Sequence, residues 1–228
     1  GECPTKNVTI SNCIAATLAS AFKLGTGSTG GFENIVISIC GVRSSQAKEM
    51  RHTLKAWGGL AAIDIASVAG GVIRNILISS IIAESVETPI FIKLGNRLSR
   101  HADKTYQSPD DNEKEGSPGT KYGITIANFR ASGVCHIASA IIGFPEHPVC
   151  NICLVNIVID CTRSGKEEDL KIEPNWASDT YPCNRAFQSN LPAYGLVLRH
   201  VQNISLRDIH FTASENEPRP AMIQEFVE

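Results

Sequence analysis

The sequence predicts an all-β protein whose strands stack in parallel as the rungs of a β-solenoid. Three observations lead to this prediction. A short strand-like pattern recurs six times along the chain, and a second set of apolar runs alternates with it. In addition, no segment has a helical period long enough to connect parallel strands in βαβ units. A rung of this kind cannot bury its own apolar face, so the core must form between neighbouring rungs.

Each copy of the recurring pattern begins with Asn, or once with Gly, and continues with alternating apolar and small polar residues. The copies are 7–11, 34–38, 75–79, 123–127, 151–155 and 203–207. Alternation with a period of two is typical of a strand with one buried face. One further apolar residue follows each copy at a fixed offset, and we expect these residues to stack as an interior column: Cys13, Cys40, Ile81, Phe129, Ile157 and Ile209.

A second set of short apolar runs lies between the copies, and we interpret it as the second strand of each rung. The runs are 21–25, 62–65, 89–95, 140–143, 194–198 and 220–223. The sequence therefore predicts a single solenoid domain over 1–228, and we expect the solenoid to continue N-terminal to Gly1, because the chain opens without Met and directly enters a strand pattern. Two polar inserts interrupt the rungs, at about 98–121 and 163–191, and long loops on a rigid scaffold often line a cleft.

Composition excludes several functional classes. Twenty-one Lys and Arg residues against 23 Asp and Glu residues give a formal charge of −2, so we expect neither nucleic acid nor an anionic membrane as a partner. No apolar run is long enough for a membrane helix. The pair Cys150 and Cys153 has the spacing of half a zinc site, but nothing nearby completes four ligands, so we expect no metal and no cofactor. If the protein is secreted, Cys3, Cys13 or Cys183 could form disulfides.

Several segments together resemble a known family. The most specific are KLGTGSTGGFENI at 23–35, GGVIRNI at 70–76 and TPIFIKLGNR at 88–97, followed by weaker matches at 142–148, 191–196, 199–200 and 219–221. With these segments the whole chain resembles the C-terminal two-thirds of bacterial pectin-degrading enzymes related to polygalacturonases, glycoside hydrolase family 28. The resemblance implies a right-handed parallel β-helix that acts on galacturonic-acid-rich polysaccharide or oligogalacturonide. It also implies a secreted or periplasmic protein.

The resemblance implies inverting hydrolysis by paired carboxylates, which protonate the leaving oxygen and activate water on the opposite face. The family takes these acids from an Asn-Thr-Asp segment and an Asp-Asp pair on rungs that would precede Asn7. Neither lies in this chain, so we assign no catalytic residue and expect no hydrolysis by the chain alone. The pair Asp110 and Asp111 lies in the first polar insert, and we interpret it as a coincidence.

Two further family motifs are altered here. The position of a site His carries Ser20, and the Arg-Ile-Lys that holds the sugar carboxylate is replaced by Asp64-Ile65-Ala66. An acidic Asp64 would repel a uronate, so either this subsite takes a neutral sugar such as rhamnose or the site has lost its function.

The remaining cations near the expected groove are Lys23, Lys93 and Arg97, each at the end of a second-set strand, and these are our candidate substrate-binding residues. They could equally be solvated charges at strand ends. His200 beside Arg199 and the rings of Trp176 and Tyr194 could contact sugar, although structural roles are the more common use of such residues.

Two functional hypotheses follow from these residues. The first is a pectin-active glycosidase of which this is the C-terminal portion. The second is a catalytically silent carbohydrate-binding or structural β-helix. A calcium-assisted lyase is disfavoured, because the strands carry no ladder of acidic residues to supply oxygen ligands.

Overall fold

The computed structural model of the chain describes residues 2–45, 59–95, 120–134, 137–176, 183–187 and 190–228. These residues form twelve strands and two short 3-10 helices, with no α-helix among them, so the all-β prediction is confirmed. The strands are β1 Thr5–Ser11, β2 Ile14–Thr17, β3 Ser20–Leu24, β4 Phe32–Ser44, β5 Gly59–Ser67, β6 Val72–Glu84, β7 Val86–Leu94, β8 Thr120–Val134, β9 Ser139–Ile142, β10 Val149–Cys161, β11 Leu196–Ala213 and β12 Met222–Val227. The 3-10 helices are Glu167–Lys171 and Asn184–Phe187. Neither is long or apolar enough to cross a membrane.

All twelve strands belong to one parallel sheet, which consists of two ladders joined through β11. Ladder A contains β1, β4, β6, β8, β10 and the C-terminal part of β11, with β2 beside β4. Ladder B contains β3, β5, β7, β9, the N-terminal part of β11 and β12. All six copies of the recurring pattern lie in ladder A, and the second set of apolar runs supplies ladder B. Both sets of predicted strands are therefore confirmed.

The sheet curls so that inward side chains of both ladders share one apolar core. Equivalent residues stack in register; Ile35 pairs with Ile76, for example. The predicted interior column is confirmed at its centre: Cys40, Ile81, Phe129 and Ile157 are buried. The column is open at its two ends, where Cys13 is exposed and Ile209 half-buried. The reason is that β1 and β2 pair only with β4, and the C-terminal part of β11 only with β10, among the described strands.

The Asn that opens each copy forms a corner of the chain. Asn34 and Asn75 have φ of 57° and 55°, in the left-handed region that Asn tolerates better than most residues, and Gly123 takes the same place in β8 with φ 70°. Their side chains also form a ladder: Asn34 Nδ2 donates to Asn7 Oδ1 at 2.9 Å, and Asn75 Nδ2 donates to Asn34 Oδ1 at 3.0 Å. The Asn pattern is therefore a backbone requirement of the corner, stabilised by amide-to-amide hydrogen bonds.

The second polar insert packs over the outer face of ladder B. Phe187 of this insert contacts Phe91 of β7 with ring centroids 5.9 Å apart, and Trp176 contacts Phe187 at 5.5 Å. Together with Ala61, Ala140 and other small or apolar residues they form a second apolar cluster, separate from the main core. A prediction from the sequence was that this insert lines a cleft; in the structure it covers part of the outer face. Residues 96–119, which hold most of the first insert, lie outside the described residues.

Two ion pairs with buried carboxylates fasten this insert. Arg185 pairs with Glu87 of β7 at 2.8 Å. Arg219 and Glu217, in the segment between β11 and β12, form a second pair at 2.8 Å, with side chains 0% and 2% exposed. The Arg219 guanidinium also donates to the carbonyl of Leu191, and Glu217 accepts from the Gly165 backbone N–H at 2.8 Å. Both ends of the insert are thus held through the same buried pair.

Candidate functional site

The candidate site is centred on Asp64 of β5. Lys23 of β3 lies directly beside it in the register of ladder B, and the same outward column continues to Phe91 of β7. Asp64 Oδ2 accepts hydrogen bonds from Lys23 Nζ and from Ser20 Oγ, both at 2.6 Å. Two segments that are 44 residues apart in the chain therefore meet at one carboxylate oxygen.

Asp64 is buried, and its side chain is only 1% exposed, whereas the Lys23 side chain is 23% exposed. The second carboxylate oxygen, Asp64 Oδ1, is buried without a hydrogen-bond partner among the described residues. A molecule that approaches from solvent would therefore meet Lys23 and Ser20 first. Because Lys23 pairs with Asp64, its ammonium offsets the negative charge that, from the sequence alone, is expected to repel a uronate.

A second lysine lies beneath this pair. Lys121, at the start of β8, is fully buried, and its Nζ donates to the carbonyl oxygens of Ile65, at 2.8 Å, and of Lys93. Burial lowers the pKa of Lys121 well below its ordinary value of 10.5; the charge of Asp64 opposes this shift, and those of Lys93 and Lys23 add to it. Lys121 is thus coupled to the charges of Asp64, Lys93 and Lys23.

The three predicted substrate-binding residues have different positions. Lys23 reaches the surface in the site described above. Lys93 points outward from β7 but is fully buried; its Nζ donates to the Leu94 carbonyl at 3.4 Å and lies 5.4 Å from the centroid of the Phe144 ring. Arg97 lies outside the described residues. Lys93 therefore adds positive charge beneath the surface, where a ligand in solvent does not touch it.

Sequence reasoning missed Lys121. Its register partner in β6 is the buried residue Ile73, so Lys121 stands in an inward column of ladder A. Simple alternation would place Lys121 outward, but the corner at Gly123 interrupts the alternation, and Ile73, which stands two residues before Asn75 as Lys121 stands two before Gly123, is inward. Lys121 is the last residue of the predicted polar insert at about 98–121, so it is not among the candidate site residues.

The described part of the cluster contains one carboxyl group. Inverting hydrolysis of a glycoside requires two carboxyl groups about 6.5–9.5 Å apart, so that one can act as acid and the other as base. In the described part of the cluster only Asp64 is acidic, and its Oδ2 accepts hydrogen bonds from Lys23 and Ser20. No group of three His, Cys, Asp or Glu side chains is placed to hold a metal ion within the described ranges.

The remaining aromatic and histidine candidates lie elsewhere. Tyr194 is half-buried, and its hydroxyl donates to the Phe211 carbonyl at 3.5 Å, which is a structural role. Trp176 packs in the insert, and His200 lies at the C-terminal end of ladder B. No protein-family model, no curated protein and no solved structure matches this chain.

Proposed function

We propose that this chain is the C-terminal portion of a right-handed parallel β-helix glycoside hydrolase of the polygalacturonase type, which cleaves galacturonic-acid-rich polysaccharide with inversion. In this proposal the chain supplies substrate contacts, and rungs upstream of Gly1 supply the catalytic acids. The parent protein would be secreted or periplasmic, where its pectic substrate is found.

The observation that carries the proposal is the contact between Ser20 and Asp64. The family resemblance places these two residues at the site His and at the Arg-Ile-Lys motif. The 2.6 Å hydrogen bond between them, together with Lys23, supports the alignment, because residues of one site must meet in space. The parallel ladders and the stacked interior columns support the solenoid form.

In the proposed site Lys23 contacts the sugar. Its ammonium is partly exposed and already oriented by Asp64, so a sugar hydroxyl or carboxylate that approaches from solvent can accept a hydrogen bond from it. Ser20 offers a hydroxyl at the same edge. Lys93 and Lys121 make the electrostatic potential beneath Lys23 and Ser20 more positive without contacting the sugar. Arg97 remains a predicted sugar contact.

A specific observation favours a second function, a catalytically silent carbohydrate-binding β-helix. The cluster of Phe91, Phe187 and Trp176 occupies part of the outer face of ladder B, and Lys93 is buried. A site that has lost its Arg-Ile-Lys cations and is partly covered is adapted for binding a short segment of polymer rather than for threading a long one.

Two measurements test the proposal. Calorimetric titration should show that tetragalacturonate binds and that Lys23→Met raises its dissociation constant about tenfold. The control Lys6→Met alters an exposed lysine of ladder A and should leave the dissociation constant unchanged. Failure of tetragalacturonate to bind, or equal effects of the two substitutions, would contradict the binding role. The sequence upstream of Gly1, read from the transcript, then separates the two functions: an Asn-Thr-Asp segment and an Asp-Asp pair are expected for the enzyme.

A further inference from the structure

A cluster of aromatic and charged side chains lies at the C-terminal end of ladder B. We name this cluster the platform. It comprises Arg199 of β11, Glu225 and Phe226 of β12, His200, and Trp176 of the insert. Arg199 and Glu225 are register partners and form an ion pair. The rings of His200 and Phe226 are stacked, with centroids 4.6 Å apart and an interplanar angle of 4°. The Arg199 guanidinium lies 5.1 Å from the Trp176 ring and 5.2 Å from the Phe226 ring.

The backbone of the platform is left-handed at two aromatic residues. His200 and Phe226 have φ of 49° and 55°. His tolerates this region better than most residues do, but Phe226 is strained there, as Ile39 of ladder A is at its φ of 55°. Phe226 is also 67% exposed, so packing does not repay the strain. Strained and exposed aromatic residues of this kind are characteristic of binding sites.

The charges of the platform balance one another. Arg199 is paired with Glu225, and it also forms cation–π contacts with two rings. Burial lowers the pKa of His200, and the neighbouring Arg199 lowers it further while Glu225 opposes the shift, so the imidazole is neutral at pH 7. An anionic ligand would have to compete with Glu225 for the guanidinium. The platform is therefore suited to an uncharged ligand.

A pyranose ring has the complementary chemistry. One of its faces carries C–H groups that can lie against the exposed Phe226 ring, and its hydroxyls can donate to Glu225 and accept from Arg199. The platform lies on the outer face of ladder B, four strands from Asp64, which is about 19 Å along the stack.

We propose that the platform of Phe226, His200, Arg199, Glu225 and Trp176 is a subsite for a neutral pyranose residue of a saccharide chain. This subsite is separate from the cluster at Asp64 and goes beyond the proposed function, because it recognises an uncharged sugar by stacking. Its occupant would be a neutral branch or neutral segment of a polysaccharide.

The test uses the full chain and two probes, galactotetraose and tetragalacturonate, titrated by calorimetry. Phe226→Asn removes the ring but keeps a residue that tolerates the left-handed conformation, so the fold is preserved; Phe226→Trp keeps a ring. We expect Phe226→Asn to weaken galactotetraose binding at least tenfold and Phe226→Trp to retain it. The matched control is Leu170→Ala, which trims an apolar side chain of the insert that is 45% exposed, and we expect less than a twofold effect.

The outcomes separate this proposal from the previous one. Galactotetraose binding that is lost in Phe226→Asn but unchanged in Lys23→Met supports the platform, whatever tetragalacturonate does. Galactotetraose binding that is unaffected by Phe226→Asn, or no galactotetraose binding at millimolar concentration, overturns the platform. Tetragalacturonate binding that Lys23→Met weakens, together with no galactotetraose binding, would leave the proposed function standing while the platform fails.

Discussion

Replacement of Arg219 by Met should destabilise the protein in a pH-dependent way. In the native structure two guanidinium nitrogens bind the two oxygens of Glu217 at 2.8 and 2.9 Å. After Arg219→Met the Glu217 carboxylate stays buried and keeps only two backbone donors, the N–H groups of Gly165 and of residue 219. Removing one partner of a buried ion pair costs about 3–5 kcal/mol, and the two remaining donors favour the lower end, about 3 kcal/mol. That is a large share of the roughly 5–15 kcal/mol that stabilises a typical domain.

The pKa of Glu217 gives the direction of the pH effect. Burial alone raises this pKa, but hydrogen bonds from Arg219 and from the Gly165 N–H outweigh burial and hold it below its ordinary value of 4.5. The native carboxylate therefore adds stability above pH 4.5, and this contribution is lost as the pH falls through the lowered pKa. Without the guanidinium the folded pKa of Glu217 rises, because burial then acts against only the two backbone hydrogen bonds. The penalty of Arg219→Met should then increase from pH 4 to pH 7.

The assay is urea unfolding of the wild-type protein, of Arg219→Met, and of the double variant Glu217→Gln with Arg219→Met, at pH 4 and pH 7. The double variant removes the buried charge, so it should recover about 2 kcal/mol of the loss at pH 7. A loss below about 1 kcal/mol at pH 7, or an equal loss at both pH values, would refute this account of the pair.

Three further predictions concern single positions. Gly165→Ala should destabilise the protein by about 1–3 kcal/mol in urea unfolding, because its Cβ would lie 2.3 Å from Arg219 Nε. The control Gly41→Ala should be nearly neutral, because its Cβ would meet nothing closer than 3.7 Å. Equal losses of stability in the two variants would count against the steric argument. The free energy of unfolding of the wild-type protein should rise with pH towards 10.5, because the unfolded chain holds the Lys121 proton more tightly than the native state does. Lys121→Met should abolish this rise, and Lys6→Met should keep it. A rise that persists in Lys121→Met would show that the buried Lys121 is not its cause. Asn34→Ala should lower the free energy of unfolding by about 1 kcal/mol more than Asn34→Gly does, because both variants lose the amide ladder but only Ala disfavours the left-handed φ of 57°. Thermal melts in which Asn34→Gly is the less stable variant would contradict this reasoning.

The strands could be predicted because their information is local. Alternation at 75–79 places Ile76 and Ile78 on one face regardless of the rest of the chain, and both are buried as predicted. The lengths of the strands could not be predicted in the same way. β6 runs over thirteen residues, because the backbone passes through Ser80 in the left-handed region without losing its ladder. A five-residue pattern shows only the part of the strand before that bend.

The candidate site divides in the same way. Lys23 was a candidate because it ends a strand, and the resemblance pointed to Ser20 and Asp64. Their meeting at one carboxylate oxygen depends on the register of β3 against β5. Lys93 was a candidate on the same grounds as Lys23, yet it is buried. Nothing in the local pattern of β7 distinguishes an exposed outward position from one that other parts of the chain cover.

The sequence by itself determined the repeat, the strand alternation and the residue type at each corner, because these properties depend on backbone conformation and on which side of a strand a residue occupies. Only the tertiary structure decided which charges pair, which are buried and which face solvent. Asp64 looks repulsive towards an anionic sugar until Lys23 lies 2.6 Å from it, and Phe226 is an ordinary strand residue until its ring stacks on His200 and stays exposed. Electrostatic energy and solvent exposure are properties of distance in space, and in a stacked sheet neighbours in space are tens of residues apart in the chain.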